Sequence, residues 1–450
     1  MSLPALREHR RHSPDRGHRV VIVGGGAAGL ELATQLGERF RRKGTGSVTL
    51  IDRSRTHLWK PLLHALAAGS LDPGDHELDY LAHAYWHGIR YVFGPMIGLD
   101  RQAREVHIGE TRDIEGKQIT PEMRIGYDTL VIAVGSVTHD FGTPGVAEHA
   151  IPLETPDQSK RFNRRLINAF LHAQAQPEAI RSGQLHIAIV GAGATGTELA
   201  AELHHTVREL VAFGLDRIDP LRDIRIILLE ASPRILPALP ENIAAAATAL
   251  LGKLGVEART GSRVQRVRED GIELADRSFI PAELVVWAAG VKAPDVLRDL
   301  DGLESNRINQ LVVRPTLQTT RDDNIFAIGD CAQCPREGHD TPVPPRAQAA
   351  HQQAAHLLRE IPRRIAGKPL RPYVYRDYGS LVTLGRYSTY GSLMGSLIGS
   401  NFRVQGLIAR LMYNSLYKLH LLALSGRRRR AFRLFGRGLS RRSRPQIKLH

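Results

Sequence analysis

Six glycines and two acids define the chemistry open to this chain. Gly24, Gly26 and Gly29 stand in the run Gly24-Gly25-Gly26-Ala27-Ala28-Gly29, and Gly191, Gly193 and Gly196 repeat the spacing in Gly191-Ala192-Gly193-Ala194-Thr195-Gly196. A pyrophosphate can lie against bare backbone at such a turn, where free N–H groups and the positive end of a helix face it. A Cβ at Gly26 or Gly193 would hold that ligand off. Each copy then runs on to an acid, Asp52 after Leu50-Ile51 and Glu230 after Leu228-Leu229, placed to accept hydrogen bonds from a ribose 2′-hydroxyl. The interval exceeds the usual separation of about twenty residues. In the second copy, a lengthened helix through His204 to Val211 and a polar loop before Ile224 account for the excess. Two dinucleotides in one polypeptide is the expectation.

The surrounding elements fit that use. Val20-Val21-Ile22-Val23 and Ile187-Ala188-Ile189-Val190 are apolar, β-branched runs that read as strands, and alanine- and leucine-rich helices open after each turn. The first copy continues to the apolar strand Thr129 to Val134, closed by Gly135, and the second to Leu284 to Ala289, closed by Gly290. A later strand through Ile325 to Ile328 delivers Gly329-Asp330 and reads as a return to the first copy. The fold class is therefore α/β: two Rossmann-like dinucleotide-binding domains, the second inserted in the first, and a C-terminal amphipathic helical segment that binds membrane. The expected boundaries are a leader at 1–19, a first domain at 20–154 and 301–345, a second at 155–300, and a C-terminal region at 346–450.

With 450 residues, 42% of them hydrophobic, the chain can bury a large core, which excludes global disorder. Its two cysteines, Cys331 and Cys334, suggest no disulfide framework and favour a cytoplasmic home. As a C-x-x-C pair following a glycine turn, they read as structural or incidental thiols. The leader lacks the apolar core of a secretory signal, and scattered histidines such as His57, His64 and His83 show no metal-ligand spacing.

The net charge of +15 is local. Of 61 Lys and Arg, fourteen fall in the last 73 residues, where no acid occurs, leaving 47 basic against 46 acidic residues before them. Val404, Leu407, Ile408, Leu411, Met412, Leu416, Leu419 and Leu422 recur at helical spacing opposite Arg403, Arg410, Asn414 and Lys418. Beyond Gly426, Arg427 to Arg430 with Phe432, Leu434, Phe435 and Leu439 form a second basic amphipathic stretch. That composition suits an anionic lipid interface. Packing on the body of the protein or on a second subunit is the alternative. Nucleic acid is disfavoured, because leucines and phenylalanines interleave the charges.

Together these residues resemble the type II NADH:quinone oxidoreductases, within the flavoproteins that carry two dinucleotide-binding domains. The resemblance is nearly full length and includes His57-Leu58-Trp59-Lys60-Pro61-Leu62-Leu63-His64, Trp287-Ala288-Ala289-Gly290, Ala327-Ile328-Gly329-Asp330 and Ala347-Gln348-Ala349-Ala350-His351-Gln352. It implies non-covalent FAD held by Gly24, Gly26, Gly29, Asp52, Gly135, Gly329, Asp330 and Ala347, with Lys60 and Pro61 bordering the isoalloxazine. NADH would use Gly191, Gly193, Gly196 and Glu230, and Gly290 would let nicotinamide approach. A carboxylate at Glu230 favours NADH over NADPH, although Arg234 is close in sequence.

The resemblance also implies a quinone near Gln348 and Gln352, four apart and so on one helix face, whose amides donate hydrogen bonds without bringing charge into an apolar site. It points to Glu198 as a proton relay, with His351 a weaker candidate. The implied enzyme passes a hydride from NADH to FAD and two electrons to a membrane quinone without pumping protons, as a peripheral protein on the cytoplasmic face of the inner (plasma) membrane, with a homodimer open. A membrane-associated flavoprotein that senses NADH without steady turnover is the other reading. A sulfide:quinone-type enzyme needs cysteines well before Cys331 and is disfavoured.

Overall fold

The computed structural model describes residues 17–384, 388–393 and 402–405, with Leu421 and Leu424. The contacts divide the chain into two units: one holds the described residues up to His57, Asp79–Gly135 and Ala293–Tyr375; the other holds Leu58–Leu78, Ser136–Lys292 and the described residues from Arg376 onward.

The first unit is built on a six-stranded sheet in the order Gln318–Thr319, Asp322–Ala327, Thr129–Ile132, His18–Val23, Gly46–Asp52, Arg90–Phe93. All neighbours are parallel except the first pair. Parallel strands are covered on both faces, which is why Val20 to Val23 are all buried instead of alternating. The helix Ala27–Lys43 packs through Leu30, Ala33, Leu36 and Phe40, at helical spacing. It stops at Gly44, whose left-handed φ of 64° lets its N–H reach the Phe40 carbonyl, and Arg41, Arg42 and Lys43 sit at the negative end of the helix dipole. Each fully buried Leu or Ile of this core contributes roughly 1.5–3 kcal/mol.

The second unit repeats the scheme with a five-stranded parallel sheet, Ala150–Pro152, Leu284–Trp287, His186–Val190, Arg225–Leu229, Val256–Arg259. In both sheets the fingerprint strand lies between the strand that ends in an acid and the strand that returns to a glycine. The strand order reverses there, at the carboxyl end where doubly wound sheets bind ligands. The duplication extends to a three-stranded antiparallel sheet in each unit, Met96–Asp100 with Glu105–Ile108 and Met123–Gly126, and Val264–Arg268 with Gly271–Leu274 and Phe279–Pro281. The spacing of strand signals in the sequence does not announce these meanders.

One expectation is corrected. Val404 and Arg403 do not open the C-terminal helix: Phe402–Gln405 is a strand paired antiparallel with Ser388–Leu393, with Val404 opposite Gly391 and Arg403 opposite Ser392. The separation of Val404 from Leu407 and Ile408 matches a helical repeat only by coincidence, because a β-branched residue in the alternating run Phe402-Arg403-Val404-Gln405 satisfies a strand period as well. Leu407, Ile408, Leu411, Met412, Leu416, Leu419 and Leu422, and the basic stretch from Arg427, lie outside the described residues.

Candidate active site

In the first unit each fingerprint glycine has its own reason to lack a Cβ. Gly24 adopts φ +103°, where a side chain would meet the Ala133 backbone, and a Cβ on Gly29 would run into the Gly24 carbonyl, so it sets how closely helix and strand approach. At Gly26 a Cβ would meet nothing within 4 Å. That position is the N-cap of Ala27–Lys43 and has no side-chain cap, which leaves a helix N-terminus open to a diphosphate.

Asp52 ties this turn to the sheet. Its carboxylate accepts the N–H of Gly25 at 2.6 Å and of Ser54 at 2.7 Å. Burial holds the Asp52 carboxyl above the usual range, while those two N–H groups pull the other way. The Gly25 carbonyl is held back by the Tyr80 hydroxyl at 2.7 Å and by His57 Nδ1 at 2.9 Å. Burial depresses His57 to about 4, so it is a neutral donor.

The second unit reproduces this arrangement. Gly191 has φ +101° against Ala289, a Cβ on Gly196 would meet the Gly191 carbonyl, and Gly193 is the open, uncapped N-cap of Ala194–Ala212. Glu230 accepts Ala192 N–H at 2.9 Å and Ser232 N–H at 2.8 Å, the counterparts of the two bonds at Asp52. Arg234 is committed elsewhere: it donates to the carbonyls of Leu239 and Pro237 at 2.7 and 2.9 Å. Gly290, at φ +66°, lies under the Phe141 ring.

The other expected residues divide between the units. In the first, the helix Ala347–Ile365 places Gln348 and Gln352, both half-buried, on one face with His351 between them, and Ala347 begins it. Gly329 turns at φ +75°, and Gln310 Nε2 donates to the Asp330 carbonyl at 2.8 Å. Gly135 adopts φ +73°. In the second, Lys60 is exposed and donates to the carbonyl and hydroxyl of Ser136 at 3.0 and 3.2 Å, with Pro61 in the short 3₁₀ turn beside it.

Glu198 lies in the second helix two residues past Gly196, buried, with His64 Nδ1 3.3 Å from its carboxyl and the Thr383 N–H donating at 3.0 Å. Local structure positions the pair. The short helix Leu63–Ala68 is pinned at its C-terminal carbonyls by Asn163 Nδ2, at 3.1 Å from Ala67 O, and by Thr206 Oγ1, at 2.8 Å from Ala68 O. Burial raises Glu198 to about 8 and lowers His64 to about 4, so near neutrality both are uncharged. A neutral carboxyl with a pKa this close to working pH is suited to giving up a proton.

Comparison with known proteins gives the arrangement its family. The model of the pyridine nucleotide-disulphide oxidoreductase family matches residues 18–354. A type II NADH:quinone oxidoreductase of Haemophilus influenzae is 42% identical over 443 residues, 96% of this chain and 99% of its own. The chain belongs to the type II NADH:quinone oxidoreductases. Another of these from Mycobacterium tuberculosis is 30% identical, covering 94% of this chain and 87% of its own. The NDH2 of Plasmodium falciparum, solved in complex with NADH, superposes with a TM-score of 0.78 at 19% identity, covering 96% of this chain and all of that one, which shows a shared fold.

Type II family membership agrees with the state of the thiols. Cys331 and Cys334 are both buried and unbridged, and burial pushes each to about 12, so neither is a ready thiolate. Three residues of this type II chain escaped the sequence reading. Gln353, next to Gln352, is buried and accepts the Gly329 N–H at 2.7 Å, fixing the turn that carries Asp330. His64, which shows no metal-ligand spacing, sits against Glu198. Glu31, two residues past Gly29 as Glu198 is past Gly196, is buried against His351 at 2.5 Å. Aligning the two glycine runs with each other exposes Glu31; nothing local exposes the other two.

Proposed function

We propose that this chain is a peripheral membrane flavoenzyme that oxidises NADH and reduces a membrane quinone without pumping protons. The observation that carries the reading is the doubled open cradle, each copy backed by an acid in the same hydrogen-bonding position, in a chain of this family. Gly24, Gly26, Gly29 and Asp52, with Gly135, Gly329, Asp330 and Ala347, would hold FAD; the open space a Cβ would occupy at Gly26 fits the group. Bound FAD supplies a two-electron relay between donor and acceptor.

Gly191, Gly193, Gly196 and Glu230 bind NADH, and Glu230 favours it over NADPH because a carboxylate accepts from a 2′-hydroxyl and repels a 2′-phosphate. Gly290 marks the turn that nicotinamide would approach, beside the Phe141 ring. Gln348 and Gln352 orient the quinone by donating to its carbonyls. The quinol gains two hydrogens: one enters with the hydride of NADH, and Glu198 delivers the other as a proton from a carboxyl that burial keeps protonated, with His64 a neutral partner. On this reading the FAD domain comprises residues 20–154 and 301–345, the NADH domain 155–300, and the region from 346 carries the quinone site and membrane anchor.

Among the described residues no helix is long and apolar enough to cross a membrane. The fourteen basic residues after Asp377 bind an anionic surface, on the cytoplasmic face where NADH is made, and a homodimer is compatible with the same segment. Anaerobic NADH should bleach the flavin of the purified protein, and a short-chain quinone should then restore it. A flavin that bleaches and stays reduced with quinone present would sink the reading.

A further inference from the structure

The helix Tyr80–His87 of the first unit is inverted. Two of its three buried positions carry polar atoms: Tyr80 bonds the Gly25 carbonyl and His83 Nε2 lies 2.7 Å from Thr34 Oγ1, with Ala84 the third. Its outward positions are Leu81, Ala82, Tyr85 and Trp86, all exposed, with Leu81 at 68%, Tyr85 at 64% and Trp86 at 53%. A helix on the surface of a protein in water normally shows the reverse pattern, and large apolar side chains gathered on one exposed face mark an interaction surface.

A basic cluster is fastened to this face. Gly37 has no Cβ, which lets the His87 carbonyl close on the helix Ala27–Lys43, and Arg41 Nη1 donates to the Trp86 carbonyl at 3.0 Å. Arg41, Arg42 and Lys43 are all exposed in the last turn of that helix. The nearest acid on that turn, Glu38, is engaged by His87 at 2.9 Å. Tyr and Trp with one apolar body and one polar tip settle at the depth of lipid headgroups, and adjacent cations match the phosphates there.

We propose that the Leu81, Tyr85 and Trp86 face, with Arg41, Arg42 and Lys43, is a lipid-contact surface of the first unit for an anionic phospholipid bilayer, additional to the C-terminal segment. The proposal rests on the peripheral-membrane reading above. Apolar side chains enter the acyl boundary while the three cations stay among headgroups. The surface does not depend on any residue assigned to the cofactors or substrates.

The chain has three tryptophans, and Trp59 and Trp287 are only 5% and 2% exposed, so contact of lipid with tryptophan reports Trp86. Full-length, FAD-loaded protein should be mixed with phosphatidylcholine vesicles containing phosphatidylglycerol, with and without brominated acyl chains. The expected result is bromine quenching that Trp86→Phe removes, while that variant keeps its FAD and its rate with NADH and a short-chain quinone. Replacing Arg41, Arg42 and Lys43 by Gln should weaken vesicle binding about fivefold per charge, on the order of a hundredfold together.

Sedimentation of the protein with these vesicles but no quenching would overturn this proposal and leave the peripheral reading intact. Failure to sediment at all would remove the peripheral reading and this surface with it. Trp86 that becomes shielded from acrylamide with rising protein concentration and no lipid would make the face an interface between copies instead.

Discussion

The two glycine turns are nearly superimposable in their bonding, yet the buried glutamates that follow them live differently. Gly24, Gly26 and Gly29 with Asp52 match Gly191, Gly193 and Gly196 with Glu230, bond for bond. Two residues past each third glycine comes a glutamate with a histidine partner. Glu31 meets His351, a side chain 27% exposed, whereas Glu198 meets His64, only 4% exposed, and also takes the Thr383 N–H. Duplication has kept the open glycine turn and its acid, the part we propose for a diphosphate, since any dinucleotide needs it. Burial of the histidine partner has diverged at the glutamate we propose as the proton donor.

The largest blow to this comparison is Gly26→Val. The backbone there is open, so the chain should fold, but FAD should be lost and NADH oxidation with it, measured by flavin absorbance and turnover. A yellow, active variant would break the equivalence of the two cradles.

Next come the glutamates. Glu198→Gln should slow quinone-dependent flavin reoxidation by roughly 10²–10⁴-fold, the range for losing a positioned acid, while Glu31→Gln should cost less than about tenfold. In wild-type protein that step should fall as pH rises through about 8, where Glu198 loses its proton, and the Gln variant should lack this limb. Equal effects of the two substitutions would mean that Glu31 and Glu198 do the same job.

A smaller effect concerns the acids at the strand ends. Glu230→Ala should raise use of NADPH relative to NADH by about ten- to a hundredfold, measured as the ratio of kcat/KM values, because discrimination of this size corresponds to about 1.4–2.8 kcal/mol. Asp52→Ala should leave that ratio alone and weaken FAD retention.

The smallest is thermodynamic. Glu198 holds its proton in the folded state up to about 8, against an ordinary value of 4.5. Below 4.5 both states hold the proton; between the two values the unfolded chain releases it and the folded chain does not, so stability falls with rising pH. Glu198→Gln should therefore raise Tm relative to wild type more at pH 8 than at pH 5. A constant difference would mean that the carboxyl titrates alike in both states.

Much of the fold was legible because its signals are local: β-branched runs, glycine spacing and strand-end acids act within a few residues of one another. The helix carrying Gln348 and Gln352 was legible for the same reason. What stayed hidden depends on tertiary approach. His64 and Glu198 are remote in sequence, and only the pinned helix Leu63–Ala68 brings them together. Gln353 differs from Gln352 by one step of a helix, which turns it from an outer face into the interior. Val404 satisfied two periodicities, and pairing with Ser388–Leu393 decided between them.

The most direct test of the account uses Gly193→Val in FAD-loaded protein. This variant should keep its flavin, NADH should bleach it at least about a hundredfold more slowly, as misplacing a bound reactant by an ångström can cost, and chemically reduced flavin should be reoxidised by quinone at the wild-type rate. Loss of flavin, or undiminished bleaching by NADH, would contradict the assignment of the second cradle to the electron donor.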